Sequence, residues 1–550
     1  MEVNLAAVHE AIAAGIPGRE CLVQGDVRRT WAEVTSRTRA LAGALIGHGL
    51  GCRIERTDLR AWDCGQDLIA QLMHNSPEYL ETMLGGYKAR TVPFNVNYRY
   101  VASELLHLLR DSRARAVFFH SSYSAVLVEA LRDAPWTALL VQVPDASGLS
   151  LLPGAQWYED FLAAGDPTLV DPSTWSPDDL YCCYTGGTTG MPKGVLWRQA
   201  DAGPKAMQCI YTEKSREFES LAEITERAAA SAGGKGLVGP PLMHGAGQWF
   251  AFNSWHAGET VVLNDATGFS AEAAIEVVAR ERITRTVMIG GTFAARLVEA
   301  AEASDADLSS LVFMAVGGAV TPAEHKDALL ARMPGLTIAD TAGSTESGRV
   351  LFATSNASSG AVTHFAPAPG TALLSEELDR VLPPGSGGQG WLASTGRIPL
   401  GYLNDEAKTT STFREVDGAR WAVIGDRAEW VDDGSGRPVV RLLGRESVTI
   451  NSGGEKVFAE EVEAVVASHP AVRDCTVVGR PDPVWGQAVV AVVALEPGTT
   501  LGAADLVAFC DGKLSRYKIP RDLVITEEFV RGPAGKADYA WARALVTQVP

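Results

Sequence analysis

The chain has 550 residues, of which 46% are hydrophobic and 21% charged, and it carries a net charge of -18. That length exceeds what one hydrophobic core organises, so at least two domains are expected. The acidic balance excludes nucleic acid as the main partner, because affinity for a phosphate backbone comes from clustered Lys and Arg.

The N-terminus, Met1-Glu2-Val3-Asn4, lacks a basic region leading into an apolar one, and no segment approaches the roughly 20 apolar residues of a spanning helix. The eight cysteines are scattered without a C-x-x-C pair, Cys182-Cys183 being adjacent in an apolar run. A reducing cytoplasm, with no export signal or membrane anchor, is the expected location.

Capping-box patterns at Thr30-Trp31-Ala32-Glu33 and Thr321-Pro322-Ala323-Glu324 predict helix starts, the second with proline where its missing N–H is harmless. The stretch 53–67 is unusually polar and reads as a loop. Apolar runs at 114–120, 138–143, 180–184, 259–263, 286–289 and 311–316 read as strands alternating with amphipathic helical patterns. Such alternation predicts parallel strands with crossover helices, an α/β fold. Gly434-Ser435-Gly436-Arg437-Pro438 reads as a hairpin turn, followed after Gly444-Arg445 by a glycine loop, a helix at 459–469, two strands and another helix. The expected division is a large domain, 1–445, and a small one, 446–550, with the site in their cleft.

The segment 184–194 places Thr185, Gly186, Gly187, Thr188, Thr189 and Gly190 after a strand and before Lys193. Glycines let backbone N–H groups converge on phosphate oxygens, hydroxyls donate, and lysine adds charge, so the loop can hold a triphosphate. Its spacing is not that of the Walker loop.

The same string resembles the phosphate loop of acyl-CoA synthetases and their adenylate-forming relatives, especially the actinobacterial fatty-acyl type. The likeness continues through Asn75-Ser76-Pro77-Glu78, the segment 92–100, Pro241-Leu242-Met243-His244-Gly245, Gly343-Ser344-Thr345-Glu346, Gly425-Asp426, Gly444-Arg445, Ser452-Gly453-Gly454-Glu455-Lys456 and Pro533-Ala534-Gly535-Lys536, in the family's order and spacing. It implies a large N-terminal domain of parallel and mixed sheets with helices and a small mobile α+β C-terminal domain. It also implies a ligase that activates a bulky hydrophobic acid with ATP and passes it to coenzyme A.

The resemblance implies roles for individual residues. Lys536 would stabilise charge during adenylation, where two anions meet. Glu346 would coordinate Mg²⁺, which prefers oxygen ligands and bridges phosphates. Gly343, Ser344 and Thr345 would contact nucleotide, Asp426 the ribose hydroxyls, and Arg445 ribose or phosphate. His244 would border the acyl and pantetheine tunnels beside Trp249. Gly290, Gly291, Gly317, Gly318 and Ala342 would leave acyl space, and residues Ser452 to Lys456 would serve thioester formation with coenzyme A. AMP would be the product nucleotide, and a homodimer is left open.

Three positions depart from the family pattern. Ala342 stands where relatives carry an aromatic against adenine, Ser447 where many have an aspartate or lysine hinge, and Ala459 where many have proline. Loss of adenine stacking weakens use of ATP more than use of an acyl-adenylate held by its acyl group. The alternatives are therefore an enzyme specialised for acyl-adenylate plus coenzyme A in a natural-product pathway, delivery to a separate carrier-protein thiol, and a non-catalytic adenylate-binding homologue.

Overall fold

The computed structural model describes residues 1–132, 138–186, 191–211, 214, 216–264, 270–289, 291–317, 321, 323–362, 364–386, 388–432, 434, 436–445, 449–530 and 538–548. Among them, every apolar run read as a strand is one. Glu20–Gln24, Thr260–Leu263, Lys235–Val238, Arg285–Ile289, Phe313–Gly317 and Thr337–Ser344 lie side by side in parallel. Antiparallel strands Val27–Thr30 at one edge and Gly348–Ser355 with Ala366–Pro367 at the other complete this nine-stranded sheet. A second, fully parallel sheet contains Val92–Asn95, Leu68–Leu72, Ala116–His120, Leu139–Val143 and Ala155–Trp157.

One strand departs from the parallel expectation. Leu180–Gly186 pairs antiparallel with Pro192–Arg198, so the phosphate-loop segment joins the two arms of a small sheet rather than a strand to a crossover helix. A run apolar on both faces carries no mark of its partner's direction. Gly194 is needed here, since a Cβ would meet the Tyr184 ring at 2.9 Å and Cys182 Sγ at 3.0 Å.

Thr30 caps helix Trp31–Gly47 with a complete capping box. Helix Ala323–Arg332 follows Thr321, whose Pro322 lies outside the described residues. The polar stretch 53–67 forms a charged brace: Arg53 pairs with Asp67, Glu55 with Arg90, and Arg90 with the buried Asp179 just before Leu180–Gly186.

A six-stranded antiparallel sheet includes Ala419–Val431 paired with Val439–Arg445, the two arms of the expected hairpin. After 446–448 the chain enters a different sheet, in which Thr449–Ser452, Glu455–Phe458, Val472–Asp482, Gly486–Leu495 and Asp522–Ile525 pack under helices Ala459–Ala467 and Ala503–Cys510. This sheet has its own apolar core around Val462, Val477, Val489, Ala491 and Leu506. All eight cysteines are free, and no helix among the described residues is long and apolar enough to cross a membrane.

Candidate active site

A cavity of about 1820 Å³ runs between the large sheets and the C-terminal sheet. Its wall is built by register. Opposed positions on neighbouring strands share a face, so Val287, Ala315 and Ala339 line up across one row and Gly317 and Thr341 across the next. Small side chains in these rows leave a groove. Arg285 and Phe313 stand at the strands' beginnings, about 13 Å from Gly317 at about 3.3 Å per residue. Helix Gly245–His256 covers the groove with Trp249 and Phe250 and, one turn on, Asn253.

At the strand ends, Thr341 to Glu346 enter the cavity wall in sequence. Gly343 has no room for a side chain, because a Cβ would sit 2.1 Å from the Gly348 carbonyl oxygen. Glu346 Oε1 accepts a 3.0 Å hydrogen bond from the buried Tyr402 hydroxyl, and the Glu346 amide donates to Ser344 Oγ at 3.1 Å. Burial, reinforced by that carboxylate, pushes the Tyr402 phenol well above its ordinary range, so it stays a donor. Thr185 also lines the cavity, and its hydroxyl is buried without a hydrogen-bond partner among the described residues. A phosphate oxygen would satisfy that orphan. No group of three or more metal-ligating side chains exists among the described residues, so a magnesium ion would be held by Glu346 together with substrate phosphates, the usual way this cation binds.

Asn95 fixes the floor between these parts. It is 3% exposed, its Nδ2 donates to the carbonyls of Tyr184 at 2.8 Å and Met243 at 2.6 Å, and its Oδ1 accepts from the Tyr184 amide at 2.8 Å. One side chain therefore ties the entry to the phosphate-loop segment to the residue before His244. Asn95→Ala is expected to cost about 3 kcal/mol, since it strands two buried carbonyls and an N–H. A denaturant midpoint unchanged from the parent would contradict this.

The C-terminal sheet enters the cavity through a hairpin. Ser452 opposes Glu455, and the two residues between them, Gly453 and Gly454, have φ of +60° and +84°. A two-residue hairpin turn with both central residues left-handed suits Gly-Gly, so the expected glycine loop is a tight turn with Gly454 at the cavity. The Gly453 amide donates to the Trp485 carbonyl at 2.8 Å, placing the Trp485 ring at the mouth. Glu455, 7% exposed on its side chain, pairs with Arg99 and lies 3.5 Å from His244 Nε2. Burial alone would raise the Glu455 carboxyl, but His244, Arg99 and Lys518 hold it below its ordinary value.

The structure thus brings Thr185, Gly317, His244, Trp249, Ala342, Gly343, Ser344, Thr345, Glu346, Gly454, Glu455 and Lys456 onto one cavity. Asp426 opposes Arg445 in the antiparallel register, beside Gly425 on the wall. Lys193 does not line this cavity, and its ammonium pairs with Asp405. Ser452 is buried behind the turn, and Gly291 opens helix Gly291–Glu302. Gly187, Thr188, Thr189, Gly190, Gly290, Gly318, Ser447 and Lys536 lie outside the described residues. Asn95 and Arg99 lie in 92–100, a segment to which the family likeness assigns no role, and Tyr402 lies in none of the family motifs. An asparagine inside an apolar strand was the one signal for Asn95.

These features define an enzyme fold with a large cavity closed by a second, smaller unit. The family model described as AMP-binding enzyme matches residues 9–403, and that of the AMP-binding enzyme C-terminal domain matches 461–536. The chain belongs to the AMP-binding enzyme family. It is 44% identical over 541 residues to the medium-chain acyl-CoA ligase Mig of Mycobacterium avium, covering 98% of each chain. It is 35% identical over 551 residues to a medium/long-chain-fatty-acid and 3-oxocholest-4-en-26-oate CoA ligase of Mycobacterium tuberculosis, covering 98% of this chain and 96% of that one. Its fold is that of the amide bond synthetase McbA from Marinactinospora thermotolerans, at TM-score 0.77 and 23% identity, covering 98% and 99% of the two chains.

Proposed function

We propose that the protein is an AMP-forming acyl-CoA ligase for bulky hydrophobic acids, working through units 1–445 and 446–550. The observation that carries this reading is the single cavity bounded at once by Thr185, Glu346 and the small-residue groove, and by Gly454 and Glu455 of the C-terminal sheet. Two half-reactions can share such a site if the smaller unit changes its face. The acid's carboxylate attacks the α-phosphorus of ATP and pyrophosphate leaves; the coenzyme A thiol then attacks the acyl carbon and AMP leaves.

The chain's own groups have distinct work in this scheme. Thr185 and the backbone of Gly343 to Thr345 position phosphate and adenosine, and Glu346 would hold Mg²⁺, which neutralises charge on the departing phosphates. Lys536 supplies a positive charge for the first step. Gly454 lets backbone approach pantetheine closely, while Glu455 holds His244 and Arg99 around the thiol's entry.

Ala342 gives adenine a methyl group rather than a ring, so ATP affinity is expected to be lower than in relatives with an aromatic there. Incubation with ATP and an acid panel, without coenzyme A, should release pyrophosphate. If it does not, while synthetic acyl-adenylate and coenzyme A give thioester briskly, the enzyme serves the second half-reaction alone. Thioester from neither route would leave a binding protein.

A further inference from the structure

The cavity wall carries several cations, and four of them have a carboxylate of their own. Arg285 pairs with Glu259 at 3.0 Å, Arg397 with Glu217 at 2.6 Å, Arg216 with Glu223 at 2.5 Å and Lys518 with Glu104 at 2.6 Å. Lys205 and Arg349 differ. Both line the cavity and both are half-buried, yet no carboxylate among the described residues pairs with either. Lys205 Nζ donates to the Pro369 carbonyl at 3.2 Å, and Arg349 Nη2 to the side-chain oxygen of Gln208 at 3.0 Å.

Their position is set by the sheet. Arg349 opposes Gly343 and Phe352 opposes Thr341, so Arg349 belongs to the groove face, and its guanidinium lies 5.4 Å over the Phe352 ring. Lys205 leans across Gly348, whose φ of +65° already favours glycine, and its Cγ lies 2.9 Å from where a Cβ would be. The two cations thus converge beside the acyl groove from helix Gln199–Lys205 and strand Gly348–Ser355. Burial, with the neighbouring Arg349 charge, lowers the Lys205 ammonium to about 8. Two like charges held together out of water are unfavourable until an anion joins them.

We infer that Lys205 and Arg349 form a subsite for a second oxyanion on the acid, so that the substrate class is a hydrophobic dicarboxylic acid activated at one end and anchored at the other. This rests on the acyl-CoA ligase reading. A planar guanidinium and an ammonium on one side suit a carboxylate, which accepts from both. A neutral oxygen would accept hydrogen bonds without neutralising the pair.

The test uses the full-length enzyme with α,ω-diacids, monoacids and ω-hydroxy acids of matched length, scored by thioester mass and kcat/KM. Arg349→Met and Lys205→Met are each expected to lower the diacid-to-monoacid ratio of kcat/KM roughly 100-fold, the penalty for stranding a polar group in a site built for it. Arg349→Lys should recover part of it. A ratio that does not move, or an equal loss for ω-hydroxy acids, overturns the inference while leaving a ligase of monoacids intact. A rise in the KM for ATP with every acid would assign the pair to phosphate and also overturn it. If no acid yields thioester, calorimetric diacid binding still decides, since the Met variants must then lose affinity that monoacids never had.

Discussion

Lys536→Ala is expected to slow acyl-adenylate formation by about 10²–10³-fold, the usual consequence of removing one positioned electrostatic group from a transition state. The same variant should consume synthetic acyl-adenylate and coenzyme A within a few-fold of the parent. The reason lies in which face of the C-terminal unit meets the cavity. In the structure Gly454, Glu455 and Trp485 are at the wall, the face proposed to serve thioester formation. Lys536 is proposed to serve the other step. Pyrophosphate release and thioester appearance, assayed separately, read the two rates. Equal losses in both would mean that Lys536 acts on folding or on a shared ligand, and the division of labour would fail.

The sequence showed the layout of the large domain well because buried strands such as 116–120 and 313–317 are short apolar runs, and alternation with helices leaves few topologies. It showed the chain order of the nucleotide segments for a related reason: each is a few residues fixed by backbone needs. Gly343 is there because a carbonyl lies 2.1 Å from its Cβ position, and Gly453 and Gly454 because their turn is left-handed. What stayed hidden depends on residues far apart in the chain. Tyr402 meets Glu346 across 56 positions, and Glu455 meets Arg99 across 356. Neither pair has a local pattern. Lys193 meets Asp405 across 212 positions, a pairing that no spacing rule connects. The cations at 205 and 349 look like ordinary surface charges until the sheet places them on the groove.

The second large effect is expected at Lys518. Its ammonium, 4% exposed, donates to Glu104 at 2.6 Å and to Glu461 at 2.7 Å, and Ser515 donates to the other oxygen of Glu104. Glu104 is on helix Ala102–Ser112, packed on the second, fully parallel sheet, whereas Glu461 is on helix Ala459–Ala467 of the C-terminal unit. One lysine therefore joins two carboxylates from the two units, and burial together with Glu104 raises the Glu461 carboxyl even against the ammonium. Lys518→Met should leave two buried acids facing each other and weaken this docking by about 3–5 kcal/mol, the scale measured for breaking buried ion pairs. Thioester formation from synthetic acyl-adenylate should fall accordingly, whereas pyrophosphate release should not, because adenylation is proposed to use another orientation. Fluorophores placed on the two units should move apart. Replacing Glu104 and Glu461 by leucine in the same chain should restore much of the rate, since an apolar contact of similar volume docks without stranded charge. Wild-type thioester formation by Lys518→Met alone would show that docking rests on the Arg99, His244 and Glu455 contacts instead.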